Sequence, residues 1–359
     1  MTEIRETLPG THLRSEWSNL KIDHSNESQQ EYLSATSYYH VDLNNVAIKG
    51  PVTSTWTNIS AAQSELGNLE AYNNIDLINS SAKDLHSMWG HVSVKNDGTP
   101  REVSTITAHD NVDLENVDVK GKVHSTWGRV MAKGSALDRV ESYYDLSLTN
   151  CSAKDLESRW GKVTVKQTDG ELRAVSSIQA CDPIELDHVS VEGRVESVWK
   201  SVTASHSALA DVKANEEIVL DNSSANHVQS AWGAVTVRQS DGTNRTITQI
   251  HAHYDVEVHH STLKDVVCGQ KAVITDSQLE NLTLYMGRIS EGLLDLTNTQ
   301  VSGIITVKLP DFETVKSTEN RFTLLIKASA MPGNIVFEGC DVTTEQTERG
   351  ILVTGTKKV

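Results

Sequence analysis

Three sets of residues in this 359-residue chain combine side chains and spacings that could do chemistry. The first is a histidine-rich run, His251-Ala252-His253-Tyr254-Asp255-Val256-Glu257-Val258-His259-His260. On an extended strand, His251, His253, Asp255, Glu257 and His259 point one way, and imidazoles beside carboxylates are the donor set of a divalent metal such as Zn²⁺. The matching places earlier in the chain hold Gln179, Cys181, Pro183, Glu185 and Asp187. The run therefore reads first as the polar face of a half-buried strand, and no metal or other cofactor is expected.

The second set is seven tryptophans, each closing the same phrase: an aliphatic residue, any residue, Ser, any residue, Trp. Two examples are Val52-Ser54-Trp56 and Leu156-Ser158-Trp160. Trp17, Trp56, Trp89, Trp127, Trp160, Trp199 and Trp232 are separated by 39, 33, 38, 33, 39 and 33 residues. Indoles stack on the apolar faces of sugar rings, so a regular row suits an extended polymer. The plainer expectation is a structural plug, with each indole filling a corner where coils of unequal length meet, because Trp is mostly buried. Counting in register places Tyr39, Asn73, Asp110, Tyr144, Asp182, Glu216 and Tyr254 opposite the tryptophans.

The third set is a recurring turn: Asp97-Gly98…Arg101, Asp169-Gly170…Arg173 and Asp241-Gly242…Arg245. Asp-Gly between alternating segments marks a tight turn. Turns that project at a regular interval from a repetitive scaffold are candidate binding loops. The plainer expectation is that each Arg pairs within its own solvated loop.

The elements that carry these sets follow from a finer period. Between the tryptophan phrases lie matching phrases without Trp, such as Leu69-Ala71 and Ile106-Ala108. The small residue closing each phrase falls at 15, 37, 54, 71, 87, 108, 125, 142, 158, 180, 197, 214, 230 and 252, and is always Ser or Ala. The coils are thus 16–22 residues long, within a four-coil super-repeat of 71–72 residues. A second column of alternating aliphatic pairs keeps step, as in Val92/Val94, Val112/Leu114 and Leu146/Leu148. Alternation of this kind marks strands with one buried face, and Asn45, Asn79, Asn116, Asn150 and Asn222 mark turns between them.

A short unit with strands and no helical periodicity is one coil of an all-β parallel β-helix. Coils stack about 4.8 Å apart and bury together what one coil cannot bury alone. Helical repeats fail on periodicity. A left-handed hexapeptide helix fails because stepping by six from Leu114 reaches Lys120 and Thr126; a right-handed helix is expected by exclusion. Fourteen to seventeen coils are expected, and seventeen would give a rod roughly 80 Å long. The expected boundaries are an N-terminal cap at 1–12, the solenoid at 13–308, and a C-terminal cap or appended element at 309–359, where all three Phe (Phe312, Phe322, Phe337) lie.

Right-handed β-helices include polysaccharide lyases and hydrolases, whose carboxylates straddle one bond. The residue between each aliphatic pair is the outward one. Among these, Asp42, Asp76, Asp113, Glu185 and Glu257 are acidic and read as recurring mainly every fourth coil, too far apart to cooperate. No stretch before residue 251 breaks the repeat, and an active site must break it. A non-enzymatic chain is the expectation, with 251–359 the place to look for any chemistry.

Net charge is −16, which argues against sequence-independent nucleic-acid binding and against adsorption to anionic membranes. Cys151, Cys181, Cys268 and Cys340 show no framework spacing and read as free thiols. The opening MTEIRETLPG does not resemble a signal peptide, and no apolar run is long enough to span a membrane. A cytoplasmic protein, or one exported without a signal, is expected.

The phrases Val119-Lys120-Gly121-Lys122-Val123, Val191-Glu192-Gly193-Arg194-Val195 and Val301-Ser302-Gly303-Ile304-Ile305, set in 16–17 residue coils, resemble bactofilins, bacterial proteins that polymerise end to end. The resemblance implies a β-solenoid and possible end-to-end self-association. Together these features lead to a bacterial, non-enzymatic scaffold that presents a repetitive lateral surface to a protein or polymer partner. The alternatives are a carbohydrate-binding or carbohydrate-cleaving β-helix protein and a filament-forming structural protein.

Overall fold

The computed structural model describes residues 2–3, 10–286, 290–309, 321–328 and 330–358. Every regular element among them is a β-strand, and no helix is long and apolar enough to cross a membrane. The chain divides into two compact units, Met1–Cys181 and Asp182–Val359. Each unit is a parallel β-solenoid.

A coil has two main faces. In the first unit a short face contains Val92–Lys95, Val112–Glu115, Val130–Lys133, Leu146–Thr149 and Val163–Lys166. These strands pair in parallel without offset: Val92 lies beside Val112, Val112 beside Val130, Val130 beside Leu146, and Leu146 beside Val163. A longer face contains Ala82–Ser87, Arg101–Ala108, Val117–Ser125, Ala136–Ser142, Ala153–Ser158 and Arg173–Ala180. There Ser87 lies beside Ala108 and Ala108 beside Ser125, while Ser142 lies beside Ser158 and Ser158 beside Ala180. In the second unit Ser197, Ala214, Ser230 and Ala252 form the same column.

Like residues therefore pile over like, because any offset in register would turn the aliphatic pairs outward. Every small residue of the column except Ser15 is buried. In the first coils a short third side joins the two faces, through Gln30–Tyr32, Val46–Ile48 and Glu65–Leu66.

The Val-Lys-Gly-Lys-Val phrase is a β-bulge. Val103 and Ile106 pair with Val119 and Val123, so one extra residue is absorbed around Gly121. A Cβ at Gly121 would lie 2.9 Å from the Ser104 carbonyl oxygen. The second unit repeats the register shift, between Val191 and Arg194.

The corner leading from short face to long face rests on a left-handed residue. Asn45, Asn79, Asn116, Asn150 and Asn222 all have φ between 47° and 56°, which Asn tolerates better than other side chains. A buried hydroxyl column follows them. The Ser135 hydroxyl accepts from the Val117 N–H at 3.1 Å and donates to the Lys133 carbonyl at 3.0 Å. One coil on, the Cys151 thiol does the same, accepting from the Ser135 N–H and donating to the Thr149 carbonyl. Cys151 is thus a serine equivalent in a wall, and burial raises its pKa. All four cysteines are free.

The boundary expected at 308/309 is displaced. Arg321–Lys327 still pairs in parallel with Ser290–Asp295, and Ile335–Glu338 with Ile305–Lys308. Among the described residues only the hairpin Cys340–Thr347 and Gly350–Lys357 departs, lying antiparallel on Arg321–Lys327. It covers the edge that the last parallel strand would otherwise expose. The change in aromatic content reflects these last coils as well as the hairpin: Phe322 is buried beneath Gly355. Phe312 lies outside the described residues. At the other end, Thr2–Glu3 pairs in parallel with Leu20–Lys21, so part of the expected cap belongs to the stack.

Candidate functional site

The corner from long face back to short face carries the tryptophans, and its geometry starts from the serine two residues before each one. The Ser158 hydroxyl accepts from the Gly161 N–H at 3.0 Å and donates to the Tyr144 carbonyl of the preceding coil at 2.7 Å. Ser125 makes the same pair with Gly128 and Asp110, and Ser230 with Gly233 and Glu216. Serine closes its own turn and ties it to the coil beneath. The coils pass so closely that a Cβ at Gly128 would sit 2.3 Å from the Asp110 carbonyl carbon. The recurring Ser-x-Trp-Gly is therefore a turn held by its first and last residues.

The tryptophan itself is not held. Its corner has one residue more than the corner of a coil without Trp: Ser158 to Val163 spans one position more than Ala180 to Ile184. The extra residue pushes the bend outward and the indole with it. Trp56, Trp89, Trp127, Trp160, Trp199 and Trp232 are 51–62% exposed, and Trp17 is 85% exposed. The plug expected from average Trp burial is not found, because the serine closes the turn by itself, on the N–H of Gly161 after Trp160 and equally on that of Thr57 after Trp56 or Lys200 after Trp199.

Up to the tryptophan, the backbone keeps the register of the long face. Trp56, Trp89, Trp127 and Trp160 donate their backbone N–H to the carbonyls of Tyr38, Tyr72, His109 and Tyr143. In parallel pairing an N–H bonds to the carbonyl just before the residue opposite, as Val92 does with Asn111 while facing Val112, so Tyr39, Asn73, Asp110 and Tyr144 stand opposite on the preceding coil, as counting gives. Ring contacts follow on the next coil. Trp17 stacks on Tyr38 with centroids 6.2 Å apart, Trp56 tilts over Tyr72 at 5.8 Å, Trp89 over His109 at 4.8 Å and Trp127 over Tyr143 at 4.5 Å. In the first unit this corner is an aromatic ladder from Trp17 to Trp160, with a ring on every coil.

In the second unit Trp232 tilts over His253 at 4.7 Å, and His253 meets Tyr254 edge-on. Trp199 has instead the Asn215 amide, which donates to its carbonyl. Carboxylates flank the rings: Asp110 beside His109 at 3.3 Å, and Glu216 paired with Lys200 at 3.0 Å.

The Asp-Gly loops lie at the other corner. Gly98, Gly170 and Gly242 have φ of 73–76°, as the turn requires. Arg173 clamps both oxygens of Asp169, at 2.9 and 2.5 Å, and also reaches Gln167. Arg245 does the same with Asp241 and Gln239. The clamp holds the Asp169 carboxyl at about 2 and pushes Asp241 lower still. These guanidinium groups are engaged inside their own loops. The first loop is one residue shorter, so Asp97 stands where Thr168 stands and bonds Asn79 at 2.8 Å. Asp97 and Arg101 do not repeat the clamp.

The histidine run is divided by a corner. His251 lies in the strand Arg245–Ala252, whereas Glu257 and His259 belong to Val256–His259 on the other face. His253 turns to Trp232, and His259 bonds Glu257 at 3.1 Å and Thr275 at 2.6 Å. Counting an unbroken strand through residues 253–255 put on one face groups that the bend separates. Among the described residues, the metal-capable groups that converge are different ones: Asp187, His188 and His206. Their signal in the sequence is His at two successive corner positions where other coils carry Asn.

The outward carboxylates also differ from expectation. Asp42, Asp76 and Asp113 stand on alternate coils, with Ser60 and Ser93 between them. That is about 9.6 Å between backbones, at the outer edge of what an inverting pair of carboxyl groups spans. Asp76 pairs with His91 at 3.0 Å, and the row repeats without any residue that would single out one bond. In residues 251–359 an open cavity of about 740 Å³ is lined by Lys271, Glu291, Leu293, Leu325, Arg349 and Leu352.

In comparisons with known proteins, no family model, no curated protein and no solved structure matches this chain.

Proposed function

We propose that the chain is a non-enzymatic binding scaffold whose tryptophan corner holds an extended polysaccharide. The observation that carries this reading is the wet aromatic ladder of the first unit, in which Trp17, Trp56, Trp89, Trp127 and Trp160 stay exposed on a repeating backbone. Leaving five indoles in water forgoes burial that would contribute on the order of 2 kcal/mol each. The serine hydroxyls close these turns without them, so the turn does not explain the indoles.

Alternate coils set the tryptophans about 9.6 Å apart, a spacing comparable to the disaccharide repeat of an extended glycan. Flat amphipathic rings accept the C–H face of a sugar, and flanking groups such as Asp110 and Asn73 offer acceptors and donors to its hydroxyls. A net charge of −16 favours a neutral or cationic glycan over a polyanion. The Asp-Gly loops support a partner less well, since two of their three arginines are bound within the loop.

A glycan array, followed by titration of the best ligand, tests the proposal. Replacing Trp56, Trp89 and Trp127 together by Ala should abolish binding while leaving the circular dichroism spectrum intact. A reducing-sugar assay should stay flat over days. Failure of every glycan to bind, or undiminished binding by the triple variant, would overturn the reading.

A further inference from the structure

We propose that Asp187, His188 and His206 form a binding site for one divalent cation of the zinc class, on the second unit and independent of the tryptophan corner. The three residues meet where Ile184–Asp187 and Val202–Ser205 end side by side, with Asp187 in register with Ser205. His188 and His206 follow immediately, each in the left-handed region with φ of 57° and 49°.

That backbone conformation aims both imidazoles off the same corner, one above the other. The rings lie nearly parallel with centroids 4.6 Å apart. Asp187 Oδ1 lies 2.8 Å from His188 Nδ1 and 3.5 Å from His206 Nδ1, and the three ligand atoms fall within 4.8 Å of one another. Tetrahedral Zn²⁺ with ligand bonds of about 2.0–2.1 Å needs donor atoms about 3.3 Å apart. The two measured separations bracket that value, and a small turn of the half-exposed His206 ring brings its lone pair onto the ion. Water completes the shell.

The supports around the ligands are in place. The Ser205 hydroxyl donates to the same Asp187 oxygen at 3.1 Å, which orients the carboxylate. The Asn222 amide lies 3.5 Å from His206 Nε2 and limits how far that ring can turn. Two imidazoles and one carboxylate without a thiolate suit Zn²⁺, Co²⁺ or Ni²⁺ better than Ca²⁺ or Mg²⁺, which prefer oxygen ligands throughout.

The test uses tag-free full-length protein stripped of metal, titrated calorimetrically with Zn²⁺ and followed by visible absorption with Co²⁺. One ion per chain is expected, with Co²⁺ bands of a low-coordinate N/O site. Asn is the residue that Asn222 supplies at the next corner with φ of 47°, so the double variant H188N/H206N keeps the backbone it needs. It should fold normally and bind at least about 100-fold more weakly. A control carrying H251Q and H259Q, in the divided histidine run, should bind as the parent does. No heat and no Co²⁺ bands in the parent, an unchanged affinity in H188N/H206N, or loss of binding in the H251Q/H259Q control would each overturn the assignment.

Discussion

Ser87 and Trp89 stand two residues apart and serve opposite sides of the same turn. The Ser87 hydroxyl is buried, bonded to the Asn73 carbonyl of the preceding coil and to the Gly90 N–H. The Trp89 indole is 56% exposed and leans on His109 of the following coil. The motif that marks every super-repeat thus joins a fastening residue to a presented one.

Separate substitutions should resolve the two roles. Ser87→Ala leaves a carbonyl and an N–H unpaired in a dry wall and should cost about 1–3 kcal/mol. Trp89→Ala removes a mostly exposed ring and should cost about 1 kcal/mol or less. Urea denaturation of both variants checks the order; an equal or larger loss for Trp89→Ala contradicts it.

Exposed indoles have an optical signature. The native protein should emit near the wavelength of tryptophan in water, and acrylamide should quench it nearly as well as it quenches the urea-unfolded chain. A strongly blue-shifted emission that resists quenching would contradict the open corner and the proposed function with it.

The left-handed corner makes a further demand on side-chain type. Asn116 has φ of 54° and donates its amide to the Asn96 carbonyl at 2.8 Å. Asn116→Val combines a β-branched residue with that conformation and should cost about 2 kcal/mol, whereas Asn116→Gly should cost less because glycine adopts it freely. Midpoints of chemical denaturation give the comparison, and equal losses would remove the conformational argument.

Acid should leave the second Asp-Gly loop closed until low pH. The Arg173 hydrogen bonds lower Asp169 from an ordinary 3.8 to about 2. For a carboxyl depressed in the folded state, the contribution is complete above the ordinary value and disappears as pH falls through the folded one. The clamp should therefore persist at pH 4 and open between about 3.8 and 2, followed by carboxyl and guanidinium resonances in NMR. Arg173→Gln should move the Asp169 midpoint up towards 3.8; an unmoved midpoint would show that the clamp is not its cause.

The sequence by itself determined the parallel stack, its coil lengths and its buried columns. A parallel solenoid pairs each residue with one roughly a coil away, so identical environments recur at a fixed period and select identical residue types, as at Val92, Val112 and Val130. The asparagine corners were legible as turns for a related reason; their left-handed backbone, which few other side chains accept, came from the structure.

Only the tertiary structure decided what happens at the corners. One extra residue in each tryptophan corner carried the indole outward, and the ring of Trp56 meets Tyr72 of the next coil instead of Asn73. A bend at 253–255 separated histidines that an unbroken strand would have aligned. Asp187, His188 and His206 come together because successive coils superpose their ends. Strand periodicity describes residues along a straight path; where the path turns, a single residue changes the direction of every side chain that follows, and the neighbours that matter belong to another coil.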